Sequence, residues 1–224
     1  MGSPALDRWA TFDCYGTLID WNGGILAELA RVFGEGEADR LLARYHELEP
    51  EIEREDPSRS YRVVLAEALR RLAAEEGREL SDPDALAGSL PGWRPFPEVR
   101  SALEALRACG WRLGVLSNTD PDLLAASIEQ IGVPVDLRVV ASEIGSYKPA
   151  HAHWERFFAE AGTEREHYVH VAASHFHDIV PASELGLRSV WINRLGETET
   201  EPRPTRELRD LGQLPEVLDE LVPG

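Results

Sequence analysis

The chain has 224 residues, 43% of them hydrophobic, which is enough to build the core of one domain with an insertion or of two small domains. No apolar run approaches the roughly 18 residues of a membrane span, and the net charge of −17 argues against nucleic acid, whose phosphates need a basic face. Two cysteines make no disulfide framework and the first residues lack a signal-peptide pattern, so we predict a cytoplasmic protein with no membrane or nucleic-acid partner.

The apolar pattern predicts a short strand, then a block of helices, and then a regular alternation of strands and helices. The first strand covers residues 9–12, helical periodicity runs from 24 to about 77, and a joint rich in proline and glycine follows at 91–97. Beyond the joint we predict helices at 98–109, 121–131, 150–161, 179–185 and 213–221. We predict strands at 112–117, 137–141, 168–172 and 189–192, and a polar loop at 197–204.

Strands that alternate with crossover helices form a parallel sheet with helices on both faces. The sequence therefore predicts an α/β fold with a doubly wound, Rossmann-like parallel sheet, built from residues 1–20 and 95–224. Residues 21–94 are predicted to form an inserted, all-helical cap domain that closes over the strand ends and excludes water.

A carboxylate and a glycine turn directly follow the first predicted strand, in the stretch Asp13-Cys-Tyr15-Gly-Thr17. Ligands bind at that end of the strands in open α/β sheets, so Asp13 is a candidate nucleophile. Lys148, which follows the third strand, is the only lysine among 23 basic residues. A compact ammonium about 4 Å from a carboxylate contributes on the order of 4 kcal/mol at an effective dielectric of 20, which would offset the repulsion between Asp13 and an anionic substrate.

These residues resemble the motifs of the haloacid dehalogenase-like superfamily. The first motif of that family is Asp-x-x-x-Thr, and the resemblance implies that Asp13 is the nucleophile and that Thr17 orients it. Ser117 and Asn118 match the second motif, which binds the substrate anion, and Lys148 matches the family's lysine. The resemblance covers nearly the whole chain.

Two departures separate the chain from the family's phosphatases. Tyr15 replaces the aspartate that serves them as general acid, and Ala173 replaces an aspartate that binds Mg²⁺, although a methyl group cannot coordinate a cation that demands oxygen ligands. The chain is therefore similar to the type II, L-2-haloacid dehalogenase branch, with no metal and no cofactor. Its fourth motif, 172–178, is divergent, because Ala173 and His175 stand where the branch has serine and asparagine, and Trp154 replaces a familiar tyrosine.

The resemblance implies a reaction in which Asp13 displaces halide from C2 of a short L-2-haloacid, and the resulting ester is hydrolysed to a D-2-hydroxyacid. A water positioned by Asp178, together with His175, would attack that ester, and Lys148 would balance the charge. Arg44 in the cap aligns with the arginine that receives halide, unless it is an exposed helix residue paired with Glu47. The remaining candidates for substrate binding are Tyr15, Trp21, Ser117, Asn118 and Ser174.

Two other functions stay open from the sequence. One is a small-molecule phosphatase with a different acid and a different metal ligand, and the other is a non-catalytic binding protein on the same scaffold. The sequence does not define the halogen, the chain length, the part played by His175 or His177, or the oligomeric state, for which a homodimer is one candidate.

Overall fold

The structure is a computed structural model, and it describes residues 7–57, 59–198 and 201–224. One sheet contains six strands in the order β3-β2-β1-β4-β5-β6, and every neighbouring pair is parallel. The strands are β1 (Arg8–Phe12), β2 (Trp111–Ser117), β3 (Leu137–Val140), β4 (Tyr168–Ala172), β5 (Arg188–Ile192) and β6 (Arg206–Leu208).

Helices cover both faces of the sheet and fill the segment between its first two strands. In that segment and just after it lie α1 (Trp21–Phe33), α2 (Glu35–Glu55), α3 (Tyr61–Glu75), α4 (Ala85–Ser89) and α5 (Val99–Ala108). The later helices are α6 (Pro121–Ile131), α7 (Ala141–Ile144), α8 (Ala152–Ala161), α9 (Val180–Glu184) and α10 (Leu214–Leu221). Short 3-10 turns lie at Leu90–Gly92 and Arg165–His167, and a π-helical turn lies at His175–Ile179.

The predicted fold class, a doubly wound parallel sheet, is confirmed. The five predicted strands are present, and the strand order reverses at β1 and β4, which places the predicted motifs at a topological switch point. The sixth strand was missed because Arg206–Leu208 is short and polar and pairs only with β5 at the edge of the sheet. Residues 199–200 of the predicted polar loop and residues 1–6 of the predicted core domain lie outside the described residues.

The helical segment begins and ends beside the same stretch of chain. The amide of Asp20 donates to the carbonyl of Arg94 at 2.8 Å, and the amide of Phe96 donates to the carbonyl of Leu18 at 3.1 Å. Between these contacts, the described residues form helices and turns and no strand. The division into a core and a cap domain stays a prediction, and we use the word cap for this helical segment, residues 21–94.

The central strand is buried on both faces. Every residue of β1 is buried, as expected for a parallel sheet covered by helices, and Trp9 meets Phe157 of α8 edge to face, with ring centroids 5.2 Å apart. Buried packing on both sides fixes the direction of β1, and so fixes the position of Asp13 directly after it.

In the cap, α2 buries one apolar stripe, while other residues of the same helix line the cavity described below. Leu41, Tyr45, Leu48 and Ile52 recur at three- and four-residue spacing and are all at most 2% exposed.

Among the described residues, no helix has the length and apolar character needed to cross a membrane.

Candidate active site

The ends of β1, β2 and β4 bring the predicted motifs to one cavity of about 230 Å³ beneath the cap. Seven of the predicted site residues reach it from the core side or its rim. The lining includes Asp13, Tyr15, Ser117, Asn118, Lys148, Ser174 and Asp178, and the cap contributes Trp21, His46, Glu49, Pro50, Glu53 and Tyr61.

Asp13 is held at both carboxylate oxygens. Its amide donates to the carbonyl of Val171 at 3.1 Å, which continues the pairing of β1 with β4. Oδ2 accepts a hydrogen bond from Oγ1 of Thr17 at 2.9 Å, and Oδ1 accepts one from Nζ of Lys148 at 2.8 Å. The Thr17 hydroxyl oxygen in turn accepts from the amide of Ala173 at 2.8 Å. Thr17 therefore connects the first and fourth motifs and fixes the direction of the carboxylate.

Lys148 is buried, and its ammonium has no donor to spare. Besides Asp13, Nζ donates to Oδ1 of Asp178 at 2.6 Å and to the carbonyl of Leu116 at 3.0 Å, which uses all three of its hydrogens. Burial alone would lower the pKa of Lys148, but the two carboxylates outweigh burial and hold this pKa above its usual range. The charge of Lys148 is therefore shared by the two aspartates, whereas the sequence led us to expect that it balances the charge between Asp13 and an anionic substrate.

The two aspartates differ in environment. Burial raises the pKa of Asp13, and Lys148 only partly opposes this. Burial would raise the pKa of Asp178 as well, yet Lys148 and His170 together bring that pKa well below its usual range. Nε2 of His170 lies 2.9 Å from Oδ1 of Asp178, while Oδ2 of Asp178 is buried without a hydrogen-bond partner among the described residues.

His170 was missed by the sequence reasoning. It lies inside β4, and its Nδ1 is 2.8 Å from Oγ1 of Thr11, so both ring nitrogens have partners behind the site. The sequence did contain a signal for it, a histidine within the apolar strand Tyr168–Ala172, two residues before the strand ends. In the structure this histidine is fully buried. Such a position demands polar partners, and Asp178 is the one that faces the cavity.

Ser117 and Asn118 lie side by side at the end of β2 but are differently engaged. The side chain of Asn118 donates to the carbonyl of Lys148 at 3.1 Å and accepts from the amide of Lys148 at 2.7 Å, so it fixes the backbone that carries the lysine. Oγ of Ser117 is buried and has no hydrogen-bond partner among the described residues. The Ser117 hydroxyl is therefore unengaged, and Asn118 keeps the second hydrogen of Nδ2 for a ligand.

Aromatic side chains form one wall of the cavity. The ring of Tyr15 stacks on that of Tyr61 with centroids 6.0 Å apart, and its hydroxyl lies 3.1 Å from Oγ of Ser127. Nε1 of Trp21 donates to the hydroxyl of Tyr61 at 3.1 Å, and its ring stacks on His46. Tyr15 and Trp21, both candidates for substrate binding from the sequence, therefore line the cavity, and Tyr61 and His46 extend the same wall.

Two expected site residues lie elsewhere. Arg44 pairs with Glu75 at 2.8 Å and with Glu47 at 2.7 Å on the outside of the cap, and it does not line the cavity. The expectation that Arg44 receives halide is therefore wrong. The alternative, an exposed helix residue paired with Glu47, is correct. The reason is helical geometry, because the cavity-facing side of α2 carries His46 and residues three, four and seven positions further on.

His175 also points away from the nucleophile. Its Nε2 lies 3.0 Å from the carbonyl of Pro202, and its ring packs against Trp191. Within the π-helical turn, His177 and Asp178 face the cavity instead, and the amide of His177 donates to Oγ of Ser174 at 3.1 Å. His175 lines a neighbouring cavity of about 620 Å³, which shares Tyr15, Trp21, His46 and Ser174 with the first. The expectation that His175 takes part in ester hydrolysis is therefore wrong, because its side chain does not line the cavity that contains Asp13.

The residues present do not fit the magnesium site of the family's phosphatases. At the position of one ligand, Ala173 has a methyl side chain, its amide donates to Thr17, and its carbonyl accepts from Nε1 of Trp191. The ammonium of Lys148 lies between Asp13 and Asp178, within 2.8 Å of an oxygen of each, and occupies the space between the two carboxylates. Among the described residues, no three histidine, cysteine, aspartate or glutamate side chains are grouped so as to hold a metal ion.

Comparison with known proteins agrees with this geometry. The family model for haloacid dehalogenase-like hydrolases matches residues 8–186, and the chain therefore belongs to that family. Haloacetate dehalogenase H-2 of Moraxella sp. (strain B) is 29% identical over 196 residues, which are 83% of this chain and 85% of that one. (S)-2-haloacid dehalogenase 1 of Pseudomonas sp. (strain CBS-3) is 28% identical over 220 residues, 94% of this chain and 96% of the relative.

Solved structures share the fold over almost the full length. A crystal structure of an L-2-haloacid dehalogenase superposes with a TM-score of 0.86 at 24% identity, covering 96% of this chain and 100% of that one. The L-2-haloacid dehalogenase of Xanthobacter autotrophicus, with chloropropionic acid covalently bound, gives a TM-score of 0.83 at 18% identity, covering 95% and 98%. These structures show the shared fold, and the family model together with the curated relatives confirms the resemblance to the type II haloacid dehalogenase branch.

Proposed function

We propose that this protein hydrolyses short L-2-haloacids to D-2-hydroxyacids through an ester on Asp13. The observation that carries the proposal is the buried triad of Asp13, Lys148 and Asp178, in which one ammonium holds two carboxylates at 2.8 and 2.6 Å. The named activities of the relatives, dehalogenation of haloacetate and of (S)-2-haloacids, support the same reaction class.

In the first step a carboxylate oxygen of Asp13 attacks C2 of the substrate opposite the halogen. The new carbon–oxygen bond forms as the carbon–halogen bond breaks, the halide leaves with the bonding electrons, and C2 is inverted. Halide needs no proton to leave, so a tyrosine at position 15 is compatible with the chemistry. Thr17 and Lys148 hold the carboxylate in position for attack, and Arg44 has no part in the step.

In the second step water attacks the carbonyl carbon of the Asp13 ester. The bond between that carbon and the hydroxyacid oxygen breaks, and the proton of the water reaches the departing alkoxide through Asp178. The unpartnered Oδ2 of Asp178 is the acceptor that would orient this water, while His170 and Lys148 hold Oδ1. Asp178 passes the proton on and does not keep it, because the departing alkoxide is far more basic than a carboxylate.

The test is the origin of the product oxygen. With enzyme in excess, one turnover of L-2-chloropropionate in ¹⁸O-water should give unlabelled lactate and a labelled peptide that contains Asp13. The matched variant Asp13→Asn should release no halide above the blank, because an amide is a poor nucleophile. Label in the first-turnover lactate would contradict the ester route, although activated water could still support dehalogenation.

Two controls separate the remaining alternatives. Activity should survive exhaustive chelation, and phosphate release from a phosphomonoester panel with Mg²⁺ should stay at the blank. Phosphate release that depends on Mg²⁺ would assign the protein to the family's phosphatases. A ligand that raises the Tm, with no turnover of any haloacid, would identify a binding protein.

A further inference from the structure

The cap side of the active-site cavity is acidic. Glu49 and Glu53 lie four residues apart on α2, so their side chains lie on the same side of the helix, and both line the cavity that contains Asp13. Both residues are half-buried. A cavity that accepts only a simple alkyl haloacid has no use for carboxylates at this end, because they repel an anion and solvate an alkyl group poorly.

The Glu49 carboxylate is held in place by tyrosines on the cap. Its Oε1 accepts hydrogen bonds from the hydroxyl of Tyr45 at 3.0 Å and from the hydroxyl of Tyr61 at 2.7 Å. Neither Glu49 nor Glu53 forms an ion pair with any other residue in the described part of the chain. The cap therefore presents two carboxyl groups without a cation, and the tyrosines hold that of Glu49 in place.

Burial without a cation makes ionisation of these two groups costly. It raises the pKa of Glu49 to about 7, and burial together with the neighbouring Glu49 raises the pKa of Glu53 to about 9. The one ammonium in the cavity, on Lys148, is already shared by Asp13 and Asp178. A positive charge that completes this end of the cavity would have to come from the ligand.

The floor of the cavity has the opposite character. Oγ of Ser117 is buried, lines the cavity and has no hydrogen-bond partner among the described residues. A buried hydroxyl without a partner costs free energy unless a ligand bonds to it, and a carboxylate is a suitable acceptor. The cavity thus has an unsatisfied donor beside the nucleophile and two carboxyl groups without a cation on the cap.

We propose that the substrate is a 2-haloacid whose side chain carries a protonated amine, with its carboxylate at Ser117 and its ammonium between Glu49 and Glu53. This inference rests on the proposed dehalogenation and adds the class of side chain. Glu49 and Glu53 then determine specificity, and Asp13 remains the group that reacts. Ion pairing with the ligand would stabilise the ionised form of both glutamates.

The experiment compares two substrates of nearly equal size, 3-amino-2-chloropropanoate and 2-chlorobutanoate, which differ by an ammonium in place of a methyl group. Both are supplied as racemates at neutral pH, where the amine is protonated, and a blank without enzyme corrects for spontaneous chloride loss. We expect kcat/KM for the amino substrate to exceed that for the alkyl substrate at least tenfold. A ratio near one would overturn the inference and leave the proposed function standing.

Variants locate the source of the preference. Glu53→Gln and the double variant Glu49→Gln/Glu53→Gln should lower the substrate ratio stepwise toward one, with the single variant informative even if the double one folds poorly. Glu51→Gln on the exposed side of the same helix is the matched control and should keep the ratio. A ratio that survives in the folded double variant would also overturn the inference, and absence of halide from every haloacid tested would overturn both this inference and the proposed function.

Discussion

At the scale of single residues, Lys148 is the group on which the site's electrostatics depend. Its ammonium donates one hydrogen bond each to Asp13, Asp178 and the carbonyl of Leu116, and its side chain is 1% exposed. A group so fully engaged cannot move toward a substrate. Its contribution is to let two buried carboxylates coexist within hydrogen-bond distance of one cation.

Replacing Lys148 should therefore affect both activity and stability. We expect Lys148→Ala to lower kcat by several orders of magnitude and the free energy of unfolding by about 3–5 kcal/mol, because two buried carboxylates lose their shared partner. Lys148→Arg should rescue little, since a wide planar guanidinium cannot replace a compact ammonium between the two carboxylates. Halide release and urea unfolding measure the two effects.

The control for this prediction is Arg44→Ala, which removes a cation from the exposed outer face of the cap. Exposed ion pairs contribute little, so both kcat and the urea midpoint should stay close to those of the parent protein. Near-normal activity in Lys148→Arg, or a large loss of activity in Arg44→Ala, would contradict this account of the two cations.

At the scale of elements, one carboxylate joins the cap to the core. Asp120 occupies the N-cap position of α6 but makes no side-chain hydrogen bond to that helix. Instead, its Oδ1 accepts from the amide of Tyr61 at 3.1 Å and its Oδ2 from the amide of Arg62 at 2.9 Å, at the start of α3. A core residue thus caps a helix of the cap, and it does so beside Tyr61, which lines the active-site cavity.

We expect Asp120→Ala to lower the free energy of unfolding by about 1–2 kcal/mol, because the first amides of α3 lose their acceptor and the helix dipole loses a favourable charge. KM should rise as well, since Tyr61 would lose its anchor to the core, while kcat should change less. The matched control is Asp122→Ala, which removes an exposed ion pair with Arg62 and an acidic side chain from the first turn of α6 but leaves the cap of α3 in place. Equal effects of the two variants on stability and KM would refute the capping role.

The secondary-structure elements and most residues at strand ends were predictable from the sequence. Which individual side chains point into the active-site cavity was not. The ends of the apolar strands indicate Asp13 and Ser117 because a parallel sheet collects its strand ends at one edge, and the motif match adds Lys148 and Asp178 in the loops beyond β3 and β4. The prediction for Arg44 failed because a motif match gives a position along a helix, and does not show which side of the helix faces the cavity.

His175 failed for a similar reason, since the π-helical turn that decides which of His175 and His177 faces the site has no signature in the sequence. His170 was missed because a buried histidine in a strand was given no weight. Glu49 and Glu53, by contrast, follow His46 at helical spacing, and a search for polar residues on one side of α2 would have found them.

At the scale of the whole molecule, the charge balance acts on every anion that approaches. With 40 acidic and 23 basic residues, the chain carries a net charge of −17, and the one ammonium at the cavity floor is neutralised locally. An anionic haloacid therefore approaches against a negative potential, which salt screens over a Debye length of about 30 Å at 0.01 M and about 10 Å at 0.1 M.

The resulting prediction is a rise in kcat/KM with ionic strength for 2-chlorobutanoate, severalfold between about 0.01 M and about 0.1 M salt, carried by a falling KM at constant kcat. The hydroxyacid product is quantified, so that added salt does not obscure halide release, and sucrose at matched osmolality serves as a control for solvent effects. The zwitterion 3-amino-2-chloropropanoate has no net charge and should show little dependence on salt. A KM for 2-chlorobutanoate that rises with salt would mean that a local positive potential governs approach, and the acidic surface would then have no influence on substrate capture.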